Sequence, residues 1–99
     1  MKLKVRFAKA AERDLEAIGD WIAEDSPSRA HSFVRELRAS CDGLAEMPYR
    51  FQRVEKFPGL RRRVHGNYLI FYRVKNEHVE LIHILHGAVD MDNIPGLEN

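Results

Sequence analysis

The sequence predicts an α+β fold with the element order β-α-α-β-β-β, in which a helical hairpin packs on a small, mainly antiparallel sheet. Three observations lead there. The opening residues alternate basic and apolar side chains, as a half-buried strand does. The next forty carry apolar residues at helical spacing. The second half reads as three apolar runs separated by turn signals. The 99 residues are expected to form one domain, spanning 1–99.

Leu3, Val5 and Phe7 fall on one side of the opening strand, with Lys2, Lys4 and Arg6 on the other. Ala11, Leu15, Ile18 and Ile22 then recur at helical spacing, so residues 8–24 read as an amphipathic helix. Gly19 lies inside it and marks a close approach to a neighbouring helix. Asp25-Ser26-Pro27 interrupts the pattern. Ser26 can cap the next helix, and Pro27 suits a first helical position, where a missing N–H costs little. The second apolar stripe is Ala30, Phe33, Val34, Leu37, Cys41 and Leu44, and Met47-Pro48 is expected to end it. So short a joint implies an antiparallel helical hairpin.

Pro48, Pro58 and Gly59 make residues 46–59 a loop. Residues 60–65, 68–74 and 78–86 follow as strands, joined by Gly66-Asn67 and by Lys75-Asn76-Glu77. Tyr68, Ile70, Tyr72 and Val74 share one side of the middle strand, and Leu69, Phe71 and Arg73 the other. Apolar content on both sides makes it a central strand, with helices over one face. Strict alternation along the last strand groups His83 with Leu81 and Leu85, and His86 with Ile82 and Ile84.

Charge is segregated. Residues 48–75 hold eight basic residues against one acidic, a net +7, and the remainder holds eight against fourteen, a net −6. Such asymmetry sets up a directional field although the whole chain is only +1. An anionic partner is expected at Arg50, Arg53, Arg61, Arg62 and Arg63. In an extended strand Arg61 and Arg63 project together and Arg62 opposes them. Guanidinium forks bind carboxylate and phosphate alike, so the patch by itself does not choose between an acidic protein and nucleic acid. Arg73 closes an apolar strand, as a rim ion pair or as a contact to the target. Tyr49 and Phe51 are the loop aromatics placed to stack on a partner or to cap the sheet. Trp21, beside Ile22, packs in the helical hairpin or contributes to a partner groove.

Several classes are excluded or disfavoured. No run approaches the length of a membrane span, and no uninterrupted apolar stretch follows the basic start as in a signal peptide. One cysteine cannot make an intramolecular disulfide, and a reducing, cytoplasmic setting is expected. Cys41 lies in an apolar stripe and reads as core. His83 and His86 on opposite strand faces cannot chelate one metal, and His65 and His78 lack cysteine or carboxylate companions, so neither metal nor cofactor is expected. His83 reads as a hydrogen-bonded core histidine.

The run Arg61-Arg62-Arg63-Val64, then Tyr68-Leu69-Ile70-Phe71-Tyr72-Arg73-Val74, then Ile84-Leu85-His86-Gly87-Ala88, resembles the ParE toxins of the RelE/ParE superfamily. Phe7-Ala8-Lys9-Ala10-Ala11-Glu12-Arg13-Asp14-Leu15, Asp20-Trp21-Ile22-Ala23 and Pro27-Ser28-Arg29-Ala30 fit the same family, so the likeness covers nearly the whole chain. The resemblance implies the toxin of a type II toxin–antitoxin pair, neutralised by a ParD-like antitoxin and inhibiting DNA gyrase by protein–protein binding. Nucleic acid is then met only through the antitoxin. It also implies that the arginines above, with Arg73 and His86, bind target or antitoxin. Trp21, Tyr49 and Phe51 are candidates for the antitoxin groove. Val89 departs from the family, many members of which carry a basic residue there.

The alternative implied by the superfamily is a ribosome-dependent messenger-RNA endonuclease of the RelE type. That reaction needs proton transfer around a ribose 2′-hydroxyl and cations on the phosphorane. The arginines can hold phosphate, and His86 or Tyr72 can in principle move a proton. Residues 87–99, however, contain no Lys, Arg, His or Tyr and three carboxylates, which repel RNA. Binding without catalysis is therefore the leading expectation.

Overall fold

The computed structural model describes residues 3–87. Strand β1 (Lys4–Phe7) leads into helices α1 (Lys9–Ala23) and α2 (Pro27–Asp42), and a single 3₁₀ turn, Gly43–Ala45, follows directly. The remaining strands are β2 (Gln52–Arg53), β3 (Leu60–His65), β4 (Tyr68–Val74) and β5 (His78–His86). The sheet order is β1-β5-β4-β3-β2, antiparallel throughout except for β1, which lies parallel to β5 at the edge. The sequence did not specify that insertion point. It follows from the hairpin of helices, which carries the chain across the sheet and makes room for a parallel return.

The helices form where their apolar stripes allow them to bury one side. Ala11, Leu15 and Ile18 of α1 and Ala30, Leu37 and Cys41 of α2 are buried. The expected cap is present, with the Ser26 hydroxyl accepting the Arg29 N–H at 3.2 Å and Pro27 in the first turn. A Cβ on Gly19 would sit 3.2 Å from Val34 Cγ2, so the two helices meet closely there. Helix α2 ends before Met47-Pro48, at Gly43, a poor helix former, and the 3₁₀ turn carries the buried stripe on through Leu44 and Ala45.

Two apolar clusters lie on opposite faces of the sheet. The helix side contains Ile70, Tyr72, Val79, Leu81 and Ile84 with the helix stripes. The outer side joins Leu60, Leu69, Phe71 and Ile82 to Val54 and Phe57 from the loop, with Leu85 packed against them. That loop covers part of the face the helices leave open.

The strict alternation expected of β5 is overturned. Phe71 pairs with His83 and Tyr72 with Leu81, so Ile82 is an extra residue, a β-bulge. The bulge shifts the phase of the strand. Leu81 and Ile84 therefore reach the same helix-side cluster, and Ile82 and Leu85 the outer one. Just here β1 ends opposite Leu81, and the chain turns into α1 through an Ala8 N–H to Leu81 carbonyl bond of 2.9 Å. Asp14 of α1 serves the strand beyond that point. Its Oδ2 accepts the Ile84 N–H at 2.9 Å and lies 2.7 Å from His83 Nδ1. His83 is 8% exposed, a hydrogen-bonded core histidine as expected.

Candidate interaction surfaces

The basic segment divides across the sheet. On the helix side Arg61 Nη1 donates to the Phe51 carbonyl at 2.8 Å and to the Tyr49 carbonyl at 3.3 Å, with its guanidinium 5.2 Å from the Tyr49 ring centre. Arg63 Nη1 donates to the Ser40 carbonyl near the end of α2 at 2.9 Å and stacks 4.8 Å from the Phe51 ring centre. Arg50 approaches the same ring at 5.5 Å. The Tyr72 hydroxyl donates to the Pro48 carbonyl at 2.6 Å from below. Residues 48–51 are thus fastened by three side chains from the sheet. Carbonyls of a chain segment without regular structure need donors, and the strand arginines supply them.

What this fastening presents is specific. Tyr49 is 67% exposed, and Arg50 and Arg53 are exposed beside it, Arg53 standing opposite Arg61 in the β2–β3 register. Arg62 lies on the other face, as the strand period predicts, with Nη2 3.4 Å from Gln52 Oε1. Arg73 is half-exposed on that outer face, in register with Leu60 on one side and Glu80 on the other. The seven candidate site residues do not converge on one point. Arg50, Arg53, Arg61 and Arg63 gather around the 48–53 segment, whereas Arg62 and Arg73 lie on the opposite face.

His86 stands elsewhere. It is exposed at the end of β5, edge-on to Tyr68 at 5.6 Å, and Tyr68 in turn meets Phe33 at 5.6 Å. Tyr68 pairs with His65 and Tyr72 with Arg61, so this end is four residues along β4, ~13 Å, from the basic segment. Trp21 lies at this end, beside Tyr68 and His86, and is 68% exposed. Its expected packing within the helical hairpin is not observed, because position 21 falls beside the buried stripe and not in it. The three aromatics proposed for one groove are thus divided, Trp21 at one end and Tyr49 and Phe51 at the other. Val89 lies outside the described residues.

The titratable groups within the fold serve structure. Burial pushes the Cys41 thiol up to about 12 and raises the Tyr72 phenol above its ordinary value, although Arg61 and Arg63 oppose the latter shift. Both groups hold their protons at neutral pH. His65 Nδ1 is 2.7 Å from the Ser40 hydroxyl, tying the end of β3 to α2. Sequence reasoning missed Asp14 and Ser40. Asp14 did leave a signal, since it lies three after Ala11 and four before Ile18, a carboxylate on the buried stripe. Among the described residues no cluster of His, Cys, Asp and Glu is arranged to hold a metal ion, and no helix is long and apolar enough to cross a membrane.

Comparison with known proteins agrees with this architecture. The chain is 28% identical over 95 residues to Toxin ParE1 of Mycobacterium tuberculosis, covering 93% of this chain and 97% of the relative. A solved structure of the chromosomal ParDE toxin–antitoxin system of P. aeruginosa superposes with a TM-score of 0.77 at 20% identity, over 86% of this chain and 96% of the other. A chain of the RelBE2 toxin–antitoxin complex of Mycobacterium tuberculosis gives 0.68 at 21% identity, over 87% and 99%. These last two likenesses concern the fold. A family model described as the ParE toxin of the type II toxin–antitoxin system, parDE, matches residues 5–91, and the chain accordingly belongs to the ParE toxin family.

Proposed function

We infer that this toxin acts in the cytoplasm by binding without catalysis, that DNA gyrase is its target, and that a ParD-like antitoxin neutralises it. One observation carries the reading. The guanidinium groups of Arg61 and Arg63 are engaged by backbone carbonyls and aromatic rings, so they work as a scaffold that holds Tyr49, Arg50 and Arg53 outward. A rigid cationic and aromatic surface of that kind suits protein recognition, where aromatic and arginine side chains supply most of the binding energy. The antitoxin is expected to contribute an acidic segment that orders on this surface and continues over the helical hairpin. Tyr72, which faces Arg61 across the β3–β4 register, is buried with its hydroxyl donated to the Pro48 carbonyl, so this phenol is committed to the fold and not presented to a substrate.

A supercoiling assay with purified gyrase tests the target directly. Stoichiometric toxin is expected to block supercoiling, and the antitoxin to restore it. Full supercoiling at excess toxin would remove gyrase from the reading while leaving the family untouched.

The second reading, ribosome-dependent messenger-RNA cleavage, is favoured by the exposed imidazole of His86 at the end of β5. Primer extension on translated messages separates the two. New cleavage sites that disappear in Arg61→Ala, Arg63→Ala and His86→Ala would establish the nuclease.

A further inference from the structure

Away from the basic segment, α1 and the last residues of β5 leave a shallow apolar groove of about 250 Å³, whose walls include Asp14, Ala17, Ile18, Trp21, Tyr68 and Ile84. It exists because β1 stops opposite Leu81, so among the described residues no strand lies beside 82–86 on that side. Trp21 is the only tryptophan of the chain, and it stands largely in solvent at the groove margin. Tyr68 opposite it is held between Phe33 and His86. A large exposed aromatic facing a braced one, above an aliphatic floor, is apolar area that a partner would cover favourably.

The charge around the groove identifies the partner. Asp14 places a carboxylate in the wall, held there by the Ile84 N–H and His83. Asp20 and Glu24 are exposed and follow Ala17 and Trp21 by three residues each, which puts them along the same side of the helix at its C-terminal end. Arg29 and Arg38 are paired with Glu36 and Glu12, and the exposed cations of α1, Lys9 and Arg13, stand toward its N-terminal end, away from Asp20 and Glu24. The margin is therefore acidic, opposite in sign to the surface around Arg50 and Arg53.

We propose that this groove is a second docking site, which receives a peptide segment of a partner protein bearing an arginine or lysine among apolar residues. The aliphatic stem lies on Ile18 and Ile84, the cation meets the ring faces of Trp21 and Tyr68, and the charge is answered by Asp14 and Asp20. An acidic segment that suits the 48–53 surface does not suit this one. The same argument turns away the chain's own residues 88–99, which carry Asp90, Asp92 and Glu98 and no cation. The proposal depends on neither gyrase nor any named antitoxin.

Trp21 reports on the site by itself. The full chain is titrated at low salt with a short synthetic peptide alternating Lys or Arg with Leu or Val, and with a control in which every cation is Glu. The cationic peptide is expected to shift Trp21 emission to the blue and to saturate, and the acidic control to leave it unchanged. Fluorescence anisotropy of the labelled cationic peptide is expected to show roughly tenfold weaker binding to Asp20→Lys/Glu24→Lys and loss of binding to Trp21→Ala, with Arg50→Glu unaffected. Both altered positions are exposed, so the variants keep their fold, which circular dichroism checks. Equal binding of the acidic peptide, absence of any binding, or indifference to the Asp20, Glu24 and Trp21 substitutions overturns the proposal. Trp21 emission already blue in the full chain and unresponsive to peptide assigns the groove to residues 88–99 and overturns it equally.

Discussion

The Arg61 guanidinium donates to the Phe51 carbonyl at 2.8 Å, which makes a residue that reads as a surface cation into a fastener of the adjoining segment. A charged donor to a half-buried carbonyl contributes more than a neutral one, so Arg61→Ala is expected to cost about 1–2 kcal/mol of folding stability. Arg50→Ala and Tyr49→Ala, at exposed positions, are expected to stay within about 0.5 kcal/mol of the parent. All three should weaken antitoxin binding, the first by loosening the surface and the others by removing it. Urea unfolding alongside antitoxin titration distinguishes these effects. An Arg61→Ala protein with an unchanged urea midpoint would contradict the fastening role.

Asp14 answers two donors at once, the Ile84 N–H and His83. Removing the carboxylate strands the Ile84 backbone N–H just beyond the bulge and takes one charged partner from the buried His83 ring. Asp14→Ala is expected to destabilise by about 2–4 kcal/mol. Asp14→Asn keeps an oxygen that can accept from Ile84 and should recover a substantial part of that loss. The order Ala worse than Asn, read from urea midpoints, is the check. Equal losses would mean that the negative charge, and not the acceptor, is what the site needs.

The fold was largely legible because each boundary has a local cause. Ser26 and Pro27 mark a helix start, Gly66 takes a φ of 59° in the turn between β3 and β4, and the three meander strands fall at 60–65, 68–74 and 78–86 as read from their apolar runs. The β5 bulge was not legible, because Ile82 is an ordinary strand residue and the extra position is set by how β4 pairs with β5. The two-residue strand β2 is likewise a product of the fastened loop. The candidate site was legible as charge and not as geometry. Sequence places Arg61 and Arg63 on one strand face, but only their partners, the carbonyls of Phe51 and Ser40, reveal that both are half committed to the fold. For Trp21 one position along the helix decided between core and solvent.

Gly19 is where α1 yields to α2. A methyl at position 19 gains about 1 kcal/mol in helix propensity but meets Val34 Cγ2 at 3.2 Å. The two effects oppose each other, and Gly19→Ala is expected to lie close to neutral. Once Val34→Ala has removed the methyl group it would touch, the same change should stabilise by about 1 kcal/mol. A double-mutant cycle in urea measures the difference. Additivity of the two substitutions would show that the helices do not meet at this point.

Cys41 supplies the final prediction, a dependence on alkaline pH. Its side chain is fully buried, and the thiol is raised from 9.0 to about 12, first by desolvation and then by Asp42. In the unfolded chain the thiol loses its proton around pH 9, whereas the folded chain keeps it. Between these values the unfolded state binds fewer protons, so stability falls as pH rises. The contribution is fully present below about pH 9 and is lost progressively toward about pH 12. The slope is at most about 1.4 kcal/mol per pH unit for this one group, and the buried Tyr72 phenol adds to it in the same direction. Urea midpoints from pH 7 upward are expected to be flat and then to decline, with the onset moved upward in Cys41→Ala after allowance for its lower starting stability. A thiol reagent at pH 8 should leave the native protein unmodified and label it rapidly in urea. Fast labelling of the native chain would mean that α2 opens far more readily than its packing against the sheet implies.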